Sequence, residues 1–188
     1  AMAGLFLYHG ITNVRDTGGL LEDLLPVVET LRSAGSNAPN IWYSGPLLDG
    51  KDVVYDGVNF PGLGIANPTP EAALANIAEI HAAGASFLKI YEMVTPEVFA
   101  AIVAEAGARN LPIDGHVPLS MRARDVAPQV QSLEHLRNYE MDCVEDPELW
   151  LAARQAELAN LANEPGNVLR ARLHTLQRLT AITNEDPV

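Results

Sequence analysis

Residues 84–94 read GASFLKIYEMV, and the fold turns on how Lys89 sits in that run. Phe87 and Leu88 precede the lysine and Ile90 follows it, so the segment reads as a short, largely buried strand. A charged side chain seldom lies inside unless something pairs with it or binds it. Lys89 therefore either marks a site or extends its ammonium out of a strand end.

Working outward, the flanks alternate. Thr69-Pro70-Glu71 and Thr95-Pro96-Glu97 each place a threonine N-cap, a proline at the first helical position and a glutamate in the first turn. The first opens a helix through AALANIAEIHAAG to Gly84, and the second opens VFAAIVAEAGARN. Upstream, Thr12–Asp16 reads as a strand ending in glycines. Leu21, Leu24, Leu25, Val28 and Leu31 then recur at helical spacing up to Gly35, with Pro26 expected to kink the helix or delay its start. NIWYSGP (40–46) is the next strand. The run 47–68, dense in Gly, Pro, Asn and Asp, reads as a long connection of the kind that serves as a lid, or as a surface excursion with a small hairpin at DVVYDGVNF. Downstream come LPIDGHVP as a strand, LSMRARDVAPQVQ as a short, proline-interrupted helix, and SLEHL as a strand.

Alternation of this kind predicts a parallel sheet with helices outside it. Five strands are legible, whereas a closed (β/α)8 barrel needs eight and about 250 residues. Residues 1–145 are thus expected to form part of a barrel or an open α/β sheet. Residues 146–188 are expected to form a helical extension of two helices with no strand between. The chain opens at AMAGLFLYHG as though already inside an apolar element, which suggests a piece of something longer.

Composition narrows the partners. The 188 residues carry a net charge of −12, which argues against nucleic acid or an anionic membrane surface as partner. The single Cys143 excludes an intrachain disulfide and a multi-cysteine zinc motif and leaves the compartment open. No run is long and apolar enough to span a bilayer. Unpaired sheet edges make homo-oligomerisation an expectation.

Three successive strands end in a potential metal ligand: Lys89 in FLKIY, His116 in DGHVP and His135 in LEHL. Parallel barrel strands open their C-terminal ends on one face, and neighbouring strands lie about 4.8 Å apart, so three such side chains can reach one ion. Tyr91 and Tyr139 stand just past ligand-bearing strands as candidates for substrate contact. Arg15 and Asp16 are expected to form a rim ion pair or turn cap. His9, His81 and His174 fall in helical stretches and are assigned surface or packing roles. Glu134 is expected on the strand face opposite His135, and Arg170, Arg172 and Arg178 on a solvated helix face.

The segments HGITNVRDTGG, NIWYSGPLLDG, 84–118 and SLEHL, in that order, resemble the metal-dependent amidohydrolases, in the branch of imidazolonepropionase-like enzymes and related dipeptidases. That resemblance implies a partial (β/α)8 TIM barrel, strands two to six with outer helices, and hydrolysis of an amide-type C–N bond in a dipeptide or imidazolone-like ring. It implies Lys89 as the lysine whose carbamate bridges divalent ions, zinc above all, with His116 and His135 as ligands from the next two strands. Water activated by the metal is then the nucleophile. The family's strand-one His-x-His pair and strand-eight aspartate have no counterpart in this sequence, so no catalytic acid-base residue is assigned and the chain by itself is expected to be inactive. Two rival readings stand beside this one: a lyase or aldolase forming a Schiff base on Lys89, and a non-catalytic binding paralogue on the same scaffold.

Overall fold

The computed structural model describes residues 2–58, 60–135, 137–160 and 164–174. It is a partial parallel (β/α) barrel. After α1 (Met2–Tyr8), β1 (Asn13–Asp16) pairs in parallel with β2 (Asn40–Tyr43). A second parallel sheet runs β4 (Gly64–Ala66), β3 (Leu47–Asp49), β5 (Leu88–Ile90), β6 (Ile113–Gly115), β7 (Ser132–Leu133). The two sheets meet where the Ser86 N–H, just before β5, donates to the Tyr43 carbonyl at the end of β2, at 2.8 Å.

Two strands come from the stretch expected to be a bare connection. At Ser44-Gly45-Pro46 the chain ends its pairing with β1, with Gly45 at φ 73 where an L side chain would be strained and Pro46 unable to donate. Beyond it β3 resumes beside β5, and β4 takes the flank that β1 held beside β2. The connection therefore shrinks to residues 50–63, closed by an antiparallel bridge between Asp56 and Gly62 in the region expected to form a hairpin.

The helices lie where the capping residues place them. Thr69 Oγ1 accepts from the Ala72 N–H at 3.3 Å to start α3 (Pro70–Ala82), and Thr95 Oγ1 accepts from Val98 at 3.3 Å to start α4 (Pro96–Arg109). Pro26 sits inside α2 (Leu21–Ser33) and does not delay its start. α5 (Ala123–Val126) is short and passes into a single 3-10 turn at Pro128. α6 (Pro147–Asn160) and a helix over 166–174 follow. No helix among the described residues is long and apolar enough to cross a membrane.

The outer face of the sheet is sealed by α2, α3 and α4. Val28, Ala73, Ile77, Ile80, Phe99 and Ile102 pack on Tyr43, Leu48, Leu88, Ile90 and Ile113, all nearly or fully buried. Removal of that apolar surface from water is the main stabilising contribution. The opposite side of the strands and their C-terminal ends carry the polar groups described below.

Gly115 marks where packing admits no side chain, because a Cβ there would lie 2.2 Å from Ile90 Cγ1 and 2.6 Å from the Ile90 carbonyl oxygen. Gly107, inside α4, would meet nothing within 4 Å. Gly115→Ala is expected to destabilise the chain by about 1–3 kcal/mol through overpacking, and Gly107→Ala to leave it unchanged or stabilise it by up to about 1 kcal/mol. Urea denaturation of the two variants checks both signs.

Candidate functional site

Lys89 lies in the middle of β5, in register with Asp114 of β6, and is 2% exposed. Its ammonium is hydrogen-bonded to Glu134 Oε2. Burial pulls the Lys89 pKa below its ordinary value, with Glu134 acting in the other direction. Glu134 Oε1 also lies 3.7 Å from the Arg15 guanidinium, which is bonded in turn to Asp114. Ser132 Oγ donates to the other Asp114 oxygen at 2.6 Å. Two cations and two carboxylates from four elements thus neutralise one another inside the curve of the sheet. Arg15 makes its ion pair across to β6, and Asp16 caps the Gly18 N–H at 3.2 Å, so each takes one half of the role expected for that dipeptide.

His116 follows β6 directly and is 3% exposed, with its ring 5.0 Å from that of His135 and nearly parallel to it at 25°. Burial, with the Lys89 charge second, pushes the His116 pKa down to about 4, so the imidazole is neutral at ordinary pH. Its Nδ1 is buried with no hydrogen-bond partner among the described residues. His135 Nε2 lies 3.9 Å from Glu134 Oε2. The structure therefore brings Lys89, His116 and His135 together at one end of the sheet.

Glu134 is not on the opposite face from His135. β7 stops at Leu133, and His135 has φ 64, a left-handed conformation uncommon for a residue with a side chain. Strand alternation, which would separate consecutive side chains, ends there. Both Glu134 and His135 consequently reach the Lys89 cluster, and the expected strand SLEHL is a two-residue strand followed by a tight turn.

A second carboxylate escaped the sequence reading. Glu92 comes just after β5, is fully buried, and accepts on Oε2 from Arg170 Nε at 3.0 Å while His174 Nε2 lies 2.6 Å from the same oxygen. Arg137 lies 3.9 Å from its Oε1. Burial works against the charge of Glu92, yet His174 and Arg170 hold its carboxyl below the usual range. Two expectations are corrected by this cluster. His174 is no bystander, and Arg170 is not solvated, because both serve a carboxylate about eighty residues upstream. Arg172 pairs with Glu157 at 2.9 Å on an exposed face as expected, while Arg178 lies outside the described residues. His9 and His81 are exposed, His81 meeting Arg109 at 3.1 Å.

Tyr91 is buried with its ring 4.5 Å from His116, edge to face, and the Arg170 guanidinium lies over the same Tyr91 ring, 5.8 Å from its centroid. Burial raises its phenol pKa, so the hydroxyl stays protonated. Tyr139 packs instead on the main apolar core.

The donor set suits one side of a divalent-ion site: two imidazoles, one of them held neutral with an orphaned buried nitrogen. Among the described residues no three His, Cys, Asp or Glu side chains are grouped to hold an ion. Lys89 as an ammonium offers no lone pair, so it enters such a set only as the neutral amine or as an anionic derivative of it.

No family model matches the chain, and no curated protein matches it significantly. Among solved structures it is similar to bottromycin amidohydrolase, at 24% identity over 86% of this chain and 35% of that one, TM-score 0.59. It is similar to a Xaa-Pro dipeptidase with bound methionine, at 16% identity over 90% and 50%, TM-score 0.59. It is also similar to A. niger ochratoxinase, at 20% identity over 94% and 49%, TM-score 0.58. The chain spans about a third to a half of the length of these structures. The parallel barrel architecture is shared with these structures.

Replacing Glu134 with Ala leaves the Lys89 ammonium buried without its partner and is expected to cost on the order of 3 kcal/mol. Lys89→Met keeps the apolar stem and leaves Glu134 near Arg15, so it should cost much less. Denaturation curves for the two variants test the asymmetry. His116, neutral when folded and charged below about 6.5 when unfolded, makes stability fall as pH drops from about 6.5 toward 4. The His116 imidazole resonance in NMR should show no protonation before the lower end of that window.

Proposed function

We propose that this chain carries part of the active site of a metal-dependent hydrolase that cleaves amide-type C–N bonds in a small substrate. The observation that carries the reading is the meeting of Lys89, His116 and His135 at the C-terminal end of one parallel sheet, with His116 neutral and its Nδ1 unpartnered. The neighbours named as amidohydrolases and a dipeptidase support the same class of bond.

His116 and His135 would hold a divalent ion, zinc by donor preference. Lys89 would join them as a carbamate, formed when its amine, disfavoured as an ammonium by burial, adds CO2. A bound ion supplies a water acidic enough to attack at neutral pH and polarises the scissile carbonyl. The protein's own groups do the rest. Glu134 stands on Lys89 and has the Arg15 guanidinium as an alternative partner when residue 89 becomes anionic. Tyr91 presents its ring edge to the imidazoles and keeps a protonated hydroxyl at the site. Arg137, Arg170 and His174 gather around the single carboxylate of Glu92, an excess of donors and positive charge that favours a small molecule with a carboxylate, such as a dipeptide.

Two ligating imidazoles hold an ion weakly, so the chain alone is expected to bind at most one divalent ion and to show no hydrolysis above background. Carried in a chain of the length of its solved neighbours, it should bind metal stoichiometrically and hydrolyse dipeptides. There Lys89→Ala should lower kcat/KM by more than about 100-fold, since even partners outside the ligand set cost 10–100-fold. Metal analysis and dipeptide turnover of that protein and its Lys89 variant check this. Full activity without Lys89 would overturn the carbamate, covalent trapping of a keto substrate by borohydride would favour a Schiff-base enzyme, and metal-free inactivity would favour a binding paralogue.

A further inference from the structure

The wall formed by Tyr55, Val58 and Phe60 stands on a loop that is tied down at its root and at its return. Asp49, 1% exposed at the end of β3, accepts three backbone N–H bonds: Gly50 at 3.0 Å and Met93 at 2.8 Å on Oδ1, Val54 at 2.9 Å on Oδ2. One carboxyl thus ties the root of this loop to the loop that follows β5. At Gly50 the two backbones touch so closely that a Cβ would fall 1.9 Å from the Met93 carbonyl oxygen. The far end returns by Leu63 and Gly64 N–H bonds to the Tyr55 carbonyl, at 3.2 and 3.1 Å. A segment fixed at both ends by buried hydrogen bonds does not swing as a lid.

What the wall presents is apolar and graded in exposure. Tyr55 is half-buried, Phe60 is 45% exposed and Val58 is 83% exposed. Phe60 lies edge-on to Tyr55 with centroids 5.6 Å apart, Tyr55 edge-on to Tyr91 at 5.6 Å, and Tyr91 edge-on to His116 at 4.5 Å. The rings form an unbroken row from solvent to the imidazole pair. Apolar side chains gathered beside a site are the usual lining of a ligand pocket.

We propose that Val58, Phe60 and Tyr55 form the subsite that selects the substrate's side chain, taking an amide whose group beside the scissile bond is aromatic or bulky aliphatic. The inference rests on the hydrolase reading for its location: a carbonyl placed at His116 and His135 has Tyr91 beside it, and a neighbouring side chain then lies along Tyr55 and Phe60. Burying one such side chain contributes about 1.5–3 kcal/mol, which corresponds to roughly 10–200-fold in affinity.

The test uses binding without turnover, so that its failure is separable from failure of the hydrolase reading. N-acetyl-phenylalaninamide, N-acetyl-leucinamide and N-acetylglycinamide are titrated into this chain, with no metal added, and followed by NMR shifts of the tyrosine and histidine rings. The phenylalanine and leucine amides should bind at least about tenfold more tightly than the glycine amide. Phe60→Ala and Val58→Ser, both at exposed positions that the fold does not need, should erase most of that ratio while leaving the glycine amide unchanged. Equal binding of the three amides, or a ratio that survives both substitutions, overturns the proposal. So does the finding that Phe60→Ala and Val58→Ser convert a self-associated species to monomer in sedimentation without altering amide affinity, because the surface would then belong to a second copy of the chain. If the ratio stands and no longer form of the protein hydrolyses amides, the subsite survives and the hydrolase reading falls.

Discussion

An ammonium placed in the middle of a buried parallel strand is tolerable only where opposite charge stands within hydrogen-bonding reach, and much of the interior follows from that requirement at Lys89. Glu134 meets it directly, but Glu134 is itself a half-buried charge that needs balance, which Arg15 supplies from across the sheet. Arg15 in turn engages Asp114, and Asp114 engages Ser132. Each member removes the desolvation penalty of the next, so the set holds β1, β5, β6 and the end of β7 in a common geometry. Breaking any one pair strands a charge, which is why such clusters fix relative placement more than they add stability.

The apolar side does different work. α3 and α4 seal the outer face with aliphatic side chains and a phenylalanine that carry no chemistry. Because that face is closed, the polar residues of the strands have only the inner side and the C-terminal ends on which to gather. Gly115 shows how tight the division is: its missing side chain lets β6 lie against Ile90, and the next residue is His116. Packing on one face thereby sets the position of an imidazole on the other.

The alternating elements were legible because their signals are local. Thr69 and Thr95 cap the helices that their Thr-Pro-Glu triplets announce, and Lys89 in an apolar strand is a visible anomaly. What sequence did not disclose depends on partners far along the chain or on a backbone angle. Glu92 reads as an ordinary loop glutamate until Arg170 and His174 arrive from seventy-eight and eighty-two residues away. Period-two alternation extended past Leu133 puts Glu134 on the wrong face, because the positive φ of His135 ends that alternation. The strands β3 and β4 were hidden for another reason. Each is three residues long, and the Gly and Pro around them mark a switch of pairing partner that looks, in one dimension, like a loop.

Charge distribution ties these observations to function. The chain carries a net charge of −12 with only twelve lysines and arginines, yet Lys89, Arg15, Arg137 and Arg170 all lie around the strand ends, with His174 beside them. The carboxylates that face them are Glu134, Asp114 and Glu92, so the cations are matched locally or in slight excess. An acidic exterior repels anions at long range, but a cluster of fixed cations in a partly desolvated setting acts over the last few ångströms, within the Debye length of about 8 Å at physiological salt. A small anionic ligand would therefore feel attraction only once it entered the strand-end region, whereas an anionic polymer or membrane would remain under the repulsion of the whole surface. The ion pairs that place Lys89 and Glu92 at the strand ends thus concentrate positive groups there on a chain whose overall charge is negative.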